Sequence, residues 1–171
     1  MTLEISKDLS LLYTPTQRWN AAAPAFDIVP VAEEMVKLMH DKKGFGLAAN
    51  QVGLPWSFFA MRGGQENFFM INPRIVNAEG EMLEDLEGCL SYPGLAIKQE
   101  RFLSVRVRFM GPNGETYTKV FTGLSARIIQ HEMDHLEGRP WWHVSKLKFD
   151  IAKKKAHTRG WDYKSLTFKG V

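Results

Sequence analysis

The chain has 171 residues, of which 44% are hydrophobic and 24% are charged, and this composition is typical of one globular domain with a sizeable core. Its longest apolar runs, SFFAM (57–61) and FFMI (68–71), are far shorter than the roughly 18 residues of a membrane span. The N-terminus also lacks a basic segment followed by an apolar one, so we expect a soluble, unsecreted and therefore cytoplasmic protein without a membrane role. Cys89 is the single cysteine, which excludes an internal disulfide and favours a reducing compartment.

The first predicted element is a helix over residues 27–44. Asp27 is a suitable N-cap, apolar residues follow at spacings of three and four, and Gly44 is a suitable end. Short β-rich stretches broken by turns occupy 56–122. The last two of them predict a hairpin, because apolar residues alternate with arginines and the GPNG sequence at 111–114 suits a turn that needs positive φ.

A second helix is predicted over about 124–137. Thr122 and Gly123 mark its start, and Gly138 and Pro140 mark its end. The order of elements predicts an α+β fold, with mainly antiparallel sheets around a central helix.

The second helix carries the sequence QHEMDHLEG, in which His131 and His135 lie four residues apart. Residues at this spacing share one helix face, about 5–6 Å apart at Cβ, so both imidazoles can bind one ion while Glu132 flanks it. The alternative is a surface helix with coincidental histidines. However, Leu124 and Ile128 continue the same stripe into the core, where unpaired imidazoles are costly. The pattern therefore favours a metal site.

A third ligand is needed, and elimination narrows the choice. A metzincin has a third histidine where this chain has Trp141, and a thermolysin-like site uses a downstream glutamate, of which there is none after Glu137. Four other downstream candidates occur in no recognisable signature: His143, Asp150, His157 and Asp162. Cys89, in LEGCLSYPG, is the remaining candidate in a motif-like setting.

The surroundings of Cys89 favour a role as ligand over that of a buried thiol. Gly88 before it and Ser91, Pro93 and Gly94 after it predict a bent segment, which can direct a side chain and a backbone N–H at one point. One cysteine and two histidines leave an open position on a tetrahedral ion, as catalysis requires.

The stretch GFGLAANQVG (44–53) is also suggestive of a site. Gly44, Gly46 and two alanines permit close approach of another backbone, which belongs either to a packed helix or to an extended ligand. Gln51 offers a neutral amide donor of the type that stabilises a developing oxyanion.

Taken together and in this order, three motifs resemble those of the peptide deformylases. GFGLAANQ resembles their G-[IV]-G-L-A-A-x-Q, EGCLS their E-G-C-L-S, and QHEMDHLEG their Q-H-E-x-D-H-L-x-G. The resemblance runs from about Pro15 to Gly138 and implies a peptide deformylase-like fold. It also implies hydrolytic removal of the formyl group from the N-terminal formylmethionine of nascent polypeptides, with release of formate.

The resemblance further implies the roles of the site residues. It implies one divalent ion, usually Fe²⁺ with Zn²⁺ or Ni²⁺ able to replace it, held by Cys89, His131 and His135. It makes Glu132 the general acid and base, and it makes Gln51 and the backbone N–H of Leu90 the oxyanion hole.

The substrate contacts implied by the resemblance lie on the same segments. The methionine side chain is expected in an apolar pocket near Phe45, Leu124 and Ile128. The peptide backbone is expected beside Gly46 and Gly88 and along the segment 90–94 in strand fashion. Three positions depart from the family pattern, namely Phe45 for Ile or Val, Tyr92 for a small aliphatic residue, and Ser125 for Leu.

We divide the chain into a catalytic domain, 1–145, and a basic C-terminal tail, 146–171. The tail has eight basic and two acidic residues, a net charge of +6, and we expect a helix from Lys146 to His157. Its lysines favour transient contact with the ribosome, while the alternating residues Trp161, Tyr163, Leu166 and Phe168 favour an edge strand packed on the domain. Two other functions stay open: a zinc peptidase with a downstream ligand, and a ribosome- or RNA-binding protein on an inactive scaffold.

Overall fold

The structure is a computed structural model that describes residues 2–140 and 144–166. It contains three α-helices, α1 (Ile28–Asp41), α2 (Gly123–Leu136) and α3 (Lys146–Thr158). Its five strands are β1 (Gly46–Ala48), β2 (Phe58–Gly63), β3 (Glu66–Cys89), β4 (Tyr92–Met110) and β5 (Thr116–Thr122). Two 3₁₀ helices, Leu9–Tyr13 and Ala49–Val52, complete the described elements.

The strands form one antiparallel sheet in the order β1-β2-β3-β4-β5, so each strand pairs with its neighbour in the chain. The predicted hairpin is present, since Val105 pairs with Phe121 and the turn contains Gly114 at φ +81°. A left-handed φ of this kind is strained for other residues, which explains the glycine.

The predicted helices are present with small differences at their ends. Helix α1 begins after Asp27, whose side chain accepts a hydrogen bond from the Val29 N–H, but it ends at Asp41 and not at Gly44. Helix α3 covers the predicted 146–157 segment and one residue more. No described helix combines the length and apolar character that a membrane crossing requires.

The expectation of short strands throughout 56–122 is wrong. Strands β3 and β4 have 24 and 19 residues, and their pairing shifts register at four places, between Ile71/Arg74, Ile75/Asn77, Glu79/Met82 and Gly88/Cys89. Register shifts of this kind bend a strand and increase its twist, so a long ribbon can curve around a helix. The charged residues of 79–87 hide this ribbon in the sequence because most of them face solvent.

Strand β2 separates two parts of the core because its successive side chains point to opposite faces. Phe58 and Ala60 pack in the cluster that includes the buried face of α1. Phe59 and Met61 pack in the cluster that includes Ala126 and the rest of the inner face of α2. Helix α2 is therefore buried against the sheet.

Helix α3 belongs to a third cluster, at the start of β4. Phe149, Ala152 and Ala156 are buried there with Leu12 and Tyr92. The chain then continues through turns, and no strand occurs over 161–166, so the edge strand is not formed by the described part of this segment. Phe168 lies outside the described residues.

Candidate metal centre and active site

Helix α2 places His131 and His135 side by side at the inner surface of the sheet. Their ring centroids are 4.9 Å apart, and their Nε2 atoms are 3.2 Å apart. His135 is only 1% exposed. The (i, i+4) spacing therefore produces the convergence of imidazoles that the sequence predicts.

Cys89 reaches the histidines from the tight turn between β3 and β4. The pairing shifts between Gly88 and Cys89, so Cys89 pairs with Tyr92 across a two-residue turn. Its Sγ lies 3.2 Å from the His135 Nε2. The ligand atoms of Cys89, His131 and His135 all lie within 4.8 Å of one another.

This donor set fits a divalent metal ion. Bonds of about 2.0–2.1 Å to nitrogen and 2.3 Å to sulfur place two nitrogens and one sulfur around a tetrahedral ion roughly 3.3–3.6 Å apart. The two measured separations of 3.2 Å are close to this range. The three side chains can therefore bind one ion with little movement.

Gln51 directs its amide nitrogen at the same point. It lies in the 3₁₀ helix after β1, where its Oε1 accepts a hydrogen bond of 2.8 Å from the Ala48 N–H. The amide NH₂ must therefore point the other way, and Nε2 lies 3.0 Å from the Ser91 Oγ and 3.4 Å from the Cys89 Sγ. The backbone bond thus fixes a donor beside the thiol.

Glu132 is a buried carboxylate that is 3% exposed. Its Oε2 has no hydrogen-bond partner among the described residues. Burial disfavours the charged form and raises the pKa of Glu132 to about 7. Gly46 gives it room, because a Cβ at that position would overlap the carboxylate.

Glu87 supports the site from beneath. His131 Nδ1 lies 3.0 Å from the Glu87 carboxylate, to which it can donate. A neutral imidazole that donates from Nδ1 has the lone pair of its Nε2 facing Cys89 and His135. By contrast, His135 Nδ1 has no partner within the described ranges. The two histidines are therefore held differently.

Two buried arginines neutralise Glu87. Arg101 donates to it at 2.9 and 3.0 Å and reaches Asp134 at 2.7 Å, and Arg127 donates to it at 2.7 Å. Burial by itself raises the pKa of Glu87, but hydrogen bonds from His131 and Arg101 outweigh it and lower the pKa to about 2. Glu87 is thus held ionised.

Sequence reasoning missed this network, although its members were visible in part. Glu87 is the first residue of EGCLS and Asp134 lies between the motif histidines. The cysteine motif contains one acidic residue that no assigned role uses, Glu87, and the histidine motif contains two, Asp134 and Glu137. That surplus of acidic residues was the available signal. Arg101 and Arg127 carried no local signal at all.

A cavity of about 480 Å³ opens over these groups. It is lined by every site residue that the sequence predicts except the buried His135, namely Phe45, Gly46, Gln51, Gly88, Cys89, Leu90, Leu124, Ile128, His131 and Glu132. Phe45 and Leu124 are 53% and 58% exposed, so the cavity presents uncovered apolar walls. Arg159 of the basic tail also lines it, which the sequence did not indicate.

Phe45 does not fill the cavity. The Arg62 guanidinium lies 5.7 Å from the centre of its ring, and this cation–π contact holds the ring at the edge. Tyr92, another departure from the family pattern, is fully buried, and its hydroxyl is hydrogen-bonded to that of Tyr13 at 3.0 Å. Tyr92 therefore supports the base of the turn that carries Cys89.

Comparison with known proteins identifies relatives of this chain. Residues 5–149 match the family model described as polypeptide deformylase. A peptide deformylase of Aquifex aeolicus is 36% identical over 144 residues, which cover 81% of this chain and 82% of that protein. A peptide deformylase of Thermotoga petrophila is 41% identical over 106 residues, covering 62% of this chain and 65% of that protein.

Solved structures are similar over most of the chain. A peptide deformylase of Synechococcus elongatus in complex with actinonin has a TM-score of 0.82 and 32% identity, covering 91% of this chain and 86% of that one. The crystal structure of peptide deformylase from Thermotoga maritima has a TM-score of 0.76 and 31% identity, covering 82% of this chain and 95% of that one.

Replacement of Glu87 tests whether this carboxylate supports the metal site. Glu87→Gln keeps the shape of the side chain but leaves two buried arginines without their shared anion and His131 with a weaker acceptor. We expect metal affinity to fall about 10- to 100-fold and unfolding free energy to fall by about 3–5 kcal/mol. Metal titration and thermal melting measure both.

The exposed Glu81 provides the matched control for this test. Glu81→Gln removes the same charge from the same strand and should change neither quantity. Wild-type metal affinity in a folded Glu87→Gln protein would show that Glu87 does not support the site.

Proposed function

Since the chain belongs to the polypeptide deformylase family, we propose that it removes the formyl group from the N-terminal formylmethionine of nascent polypeptides with the residues of this cavity. Members of the family are metal-dependent hydrolases that act on the N-formyl group of nascent peptides. The observation that carries the proposal is the convergence of Cys89, His131 and His135 beside Glu132 at the base of an open cavity.

We propose that Cys89, His131 and His135 hold one divalent ion. When bound, such an ion supplies Lewis acidity, which lowers the pKa of water and polarises a carbonyl oxygen. Fe²⁺ is proposed as the resident ion because the motif resemblance implies it, and Zn²⁺ or Ni²⁺ as substitutes, because thiolate and imidazole suit all three.

Glu132 is proposed as the group that moves protons. Its carboxylate takes a proton from water as that water attacks the formyl carbon, and its pKa of about 7 suits a base that works near neutral pH. The same proton then passes to the nitrogen of the departing amine. The C–N bond breaks, and the products are formate and a free α-amino group.

Gln51 and Leu90 are proposed to stabilise the negative charge that develops on the formyl oxygen. The Gln51 amide is already directed at the site by its bond to Ala48, which limits the reorganisation that the reaction requires. The N–H of Leu90 belongs to the residue next to Cys89, at the turn that lines the cavity.

The apolar walls are proposed to bind the methionine side chain. Leu124 lies one turn of α2 before Ile128, and Ile128 lies one turn before His131. Phe45 lies at the cavity edge. Gly46 and Gly88 leave the backbone accessible to an extended peptide, which pairs along residues 90–94.

The tail is proposed to contact the ribosome transiently, which places the enzyme in the cytoplasm where polypeptides are made. Lys154 and Lys155 are exposed on α3 and contribute to the +6 charge of 146–171. Contacts of lysine with phosphate release counterions and so weaken steeply with salt. A reducing compartment also keeps the Cys89 thiol available as a ligand.

The proposed activity is tested directly with a formyl-methionyl tripeptide. Protein purified without oxygen should release formate from it and should leave an internal peptide bond intact. Cleavage of the internal bond without release of formate would favour the zinc peptidase instead.

Glu132→Gln should keep the ion and lose activity by about 10²- to 10⁴-fold, because the amide can neither accept nor return the proton. Turnover and metal content measured on the same sample test this. Glu137→Gln, at the exposed end of α2, is the control and should retain turnover. Turnover within a few fold of wild type in the Glu132 variant, with metal present, would remove Glu132 from the mechanism.

Cys89→Ala should abolish stoichiometric metal binding, because the two imidazoles alone leave the ion with too few protein ligands. Elemental analysis of the purified variant is the measurement. Asp150→Ala and His157→Ala, on the exposed surface of α3, should each retain the ion. If Cys89→Ala keeps the ion and one of the two α3 variants loses it, the third ligand lies in the downstream segment.

Replacement of both Lys154 and Lys155 by Gln should weaken co-sedimentation with ribosomes at low salt. The slope of log affinity against log salt concentration should become shallower by the equivalent of about one to two phosphate contacts. The matched control replaces Lys37 and Lys42, which are exposed on and just after α1. Equal co-sedimentation of the wild type, the Lys154/Lys155 variant and the Lys37/Lys42 control contradicts the ribosome contact.

A further inference from the structure

The segment after α3 folds back towards the substrate cavity. The N–H groups of Arg159 and Trp161 both donate to the Ala156 carbonyl, at 3.0 and 3.1 Å, which closes the helix end. Gly160 lies between them at φ +92°, a conformation that other residues rarely adopt. This turn reverses the chain, so the residues that follow α3 lie beside the start of β4.

Two contacts attach this segment to the rim of the cavity, and a third joins it to α3. The Trp161 ring covers the backbone of Gly94, where a Cβ would overlap it. The Tyr163 hydroxyl donates to the Pro93 carbonyl. Lys153 of α3 donates to the Leu166 carbonyl at 2.7 Å and so fastens the far end of the segment back onto the helix.

This attachment brings Arg159 into the cavity wall together with Gly94, Leu95 and Ala96. Within residues 2–140 and 144–166, the Arg159 guanidinium has no ion pair or hydrogen bond. Of the described residues that line the cavity, two carry exposed charged side chains, Arg159 and Lys43, and both are positive. The carboxylates that line it, Glu87 and Glu132, are buried at its base.

The distance along β4 from Tyr92 to Gly94 indicates which residue of a bound peptide lies near Arg159. Gly94 lies two residues beyond Tyr92, which pairs with the metal-ligand candidate Cys89. An extended chain rises about 3.3 Å per residue. A peptide that pairs along this segment therefore brings its second or third residue to Gly94, while its formyl group lies beside Cys89.

We propose that Arg159, held by Trp161 on Gly94, forms an anion-selecting subsite for the second or third residue of the peptide. Substrates with Asp or Glu at these positions bind better than substrates with Lys or Arg, because the described residues that line the cavity offer two exposed positive charges and no exposed carboxylate. This inference rests on the proposed function and adds substrate preference to it.

The test uses the full chain with its metal and three formyl-methionyl-alanyl peptides that carry Asp, Lys or Gln as the third residue. A second set carries the same residues as the second residue. All are amidated at the C-terminus, so that the side chain is the only carboxylate present. The measured quantity is the ratio of kcat/KM for the Asp peptide to that for the Lys peptide, at low and high ionic strength.

For the wild type we expect a ratio of roughly five in at least one set, expressed mainly in KM, and a ratio that falls towards one as salt screens the charges. Arg159→Gln should bring the low-salt ratio close to one, Arg159→Lys should retain part of it, and Arg159→Glu should invert it. Arg18→Gln is the matched control, because Arg18 is exposed and does not line the cavity, and its ratio should equal that of the wild type.

The results that would contradict the subsite alone differ from those that would contradict the proposed function. A wild-type protein that deformylates every peptide with a ratio close to one in both sets overturns the subsite alone. The same holds if Arg159→Gln keeps the wild-type ratio. A wild-type protein that deformylates none of the peptides overturns the proposed function and the subsite together.

Discussion

The buried carboxylate of Glu87 is the interaction on which the rest of the site depends. It joins three elements, because it belongs to β3, accepts from Arg101 of β4, and accepts from Arg127 and His131 of α2. An ionised group in the protein interior is costly unless it is paired and hydrogen-bonded. Here each charge is partnered, so the position of α2 on the sheet and the orientation of a metal-ligand candidate are set by the same contacts.

The long β3–β4 ribbon supplies the third candidate ligand, which helix α2 cannot provide. A helix face offers two imidazoles, and a third ligand must come from another element at the correct distance. The shift of pairing between Gly88 and Cys89 ends the ribbon in a turn whose thiol lies 3.2 Å from His135. Beneath this turn, the hydroxyls of Tyr92 and Tyr13 share a hydrogen bond in the cluster that also contains Phe149 of α3. The C-terminal helix thus contributes to the stability of the turn.

Sequence reasoning succeeded where structure depends on local spacing. The (i, i+4) histidines, the Asp27 cap and the alternation around Val105 each reflect a regular period of helix or strand. It failed where structure depends on pairs distant in the chain. The Glu87–Arg127 pair spans 40 residues, and its register depends on bulges that leave no clear pattern in composition. The approach of Arg159 to the cavity depends on one turn at Gly160 and on the packing of one ring.

The single cysteine has a practical consequence. Cys89 is the only thiol in the chain, it is partly accessible, and it lines the cavity. Every reaction of an alkylating reagent with a cysteine of this protein therefore occurs at one atom. A thiolate engaged by a metal ion is a poor nucleophile towards such reagents, so the rate of alkylation reports occupancy of the centre in the intact enzyme, without a substrate and without an introduced label.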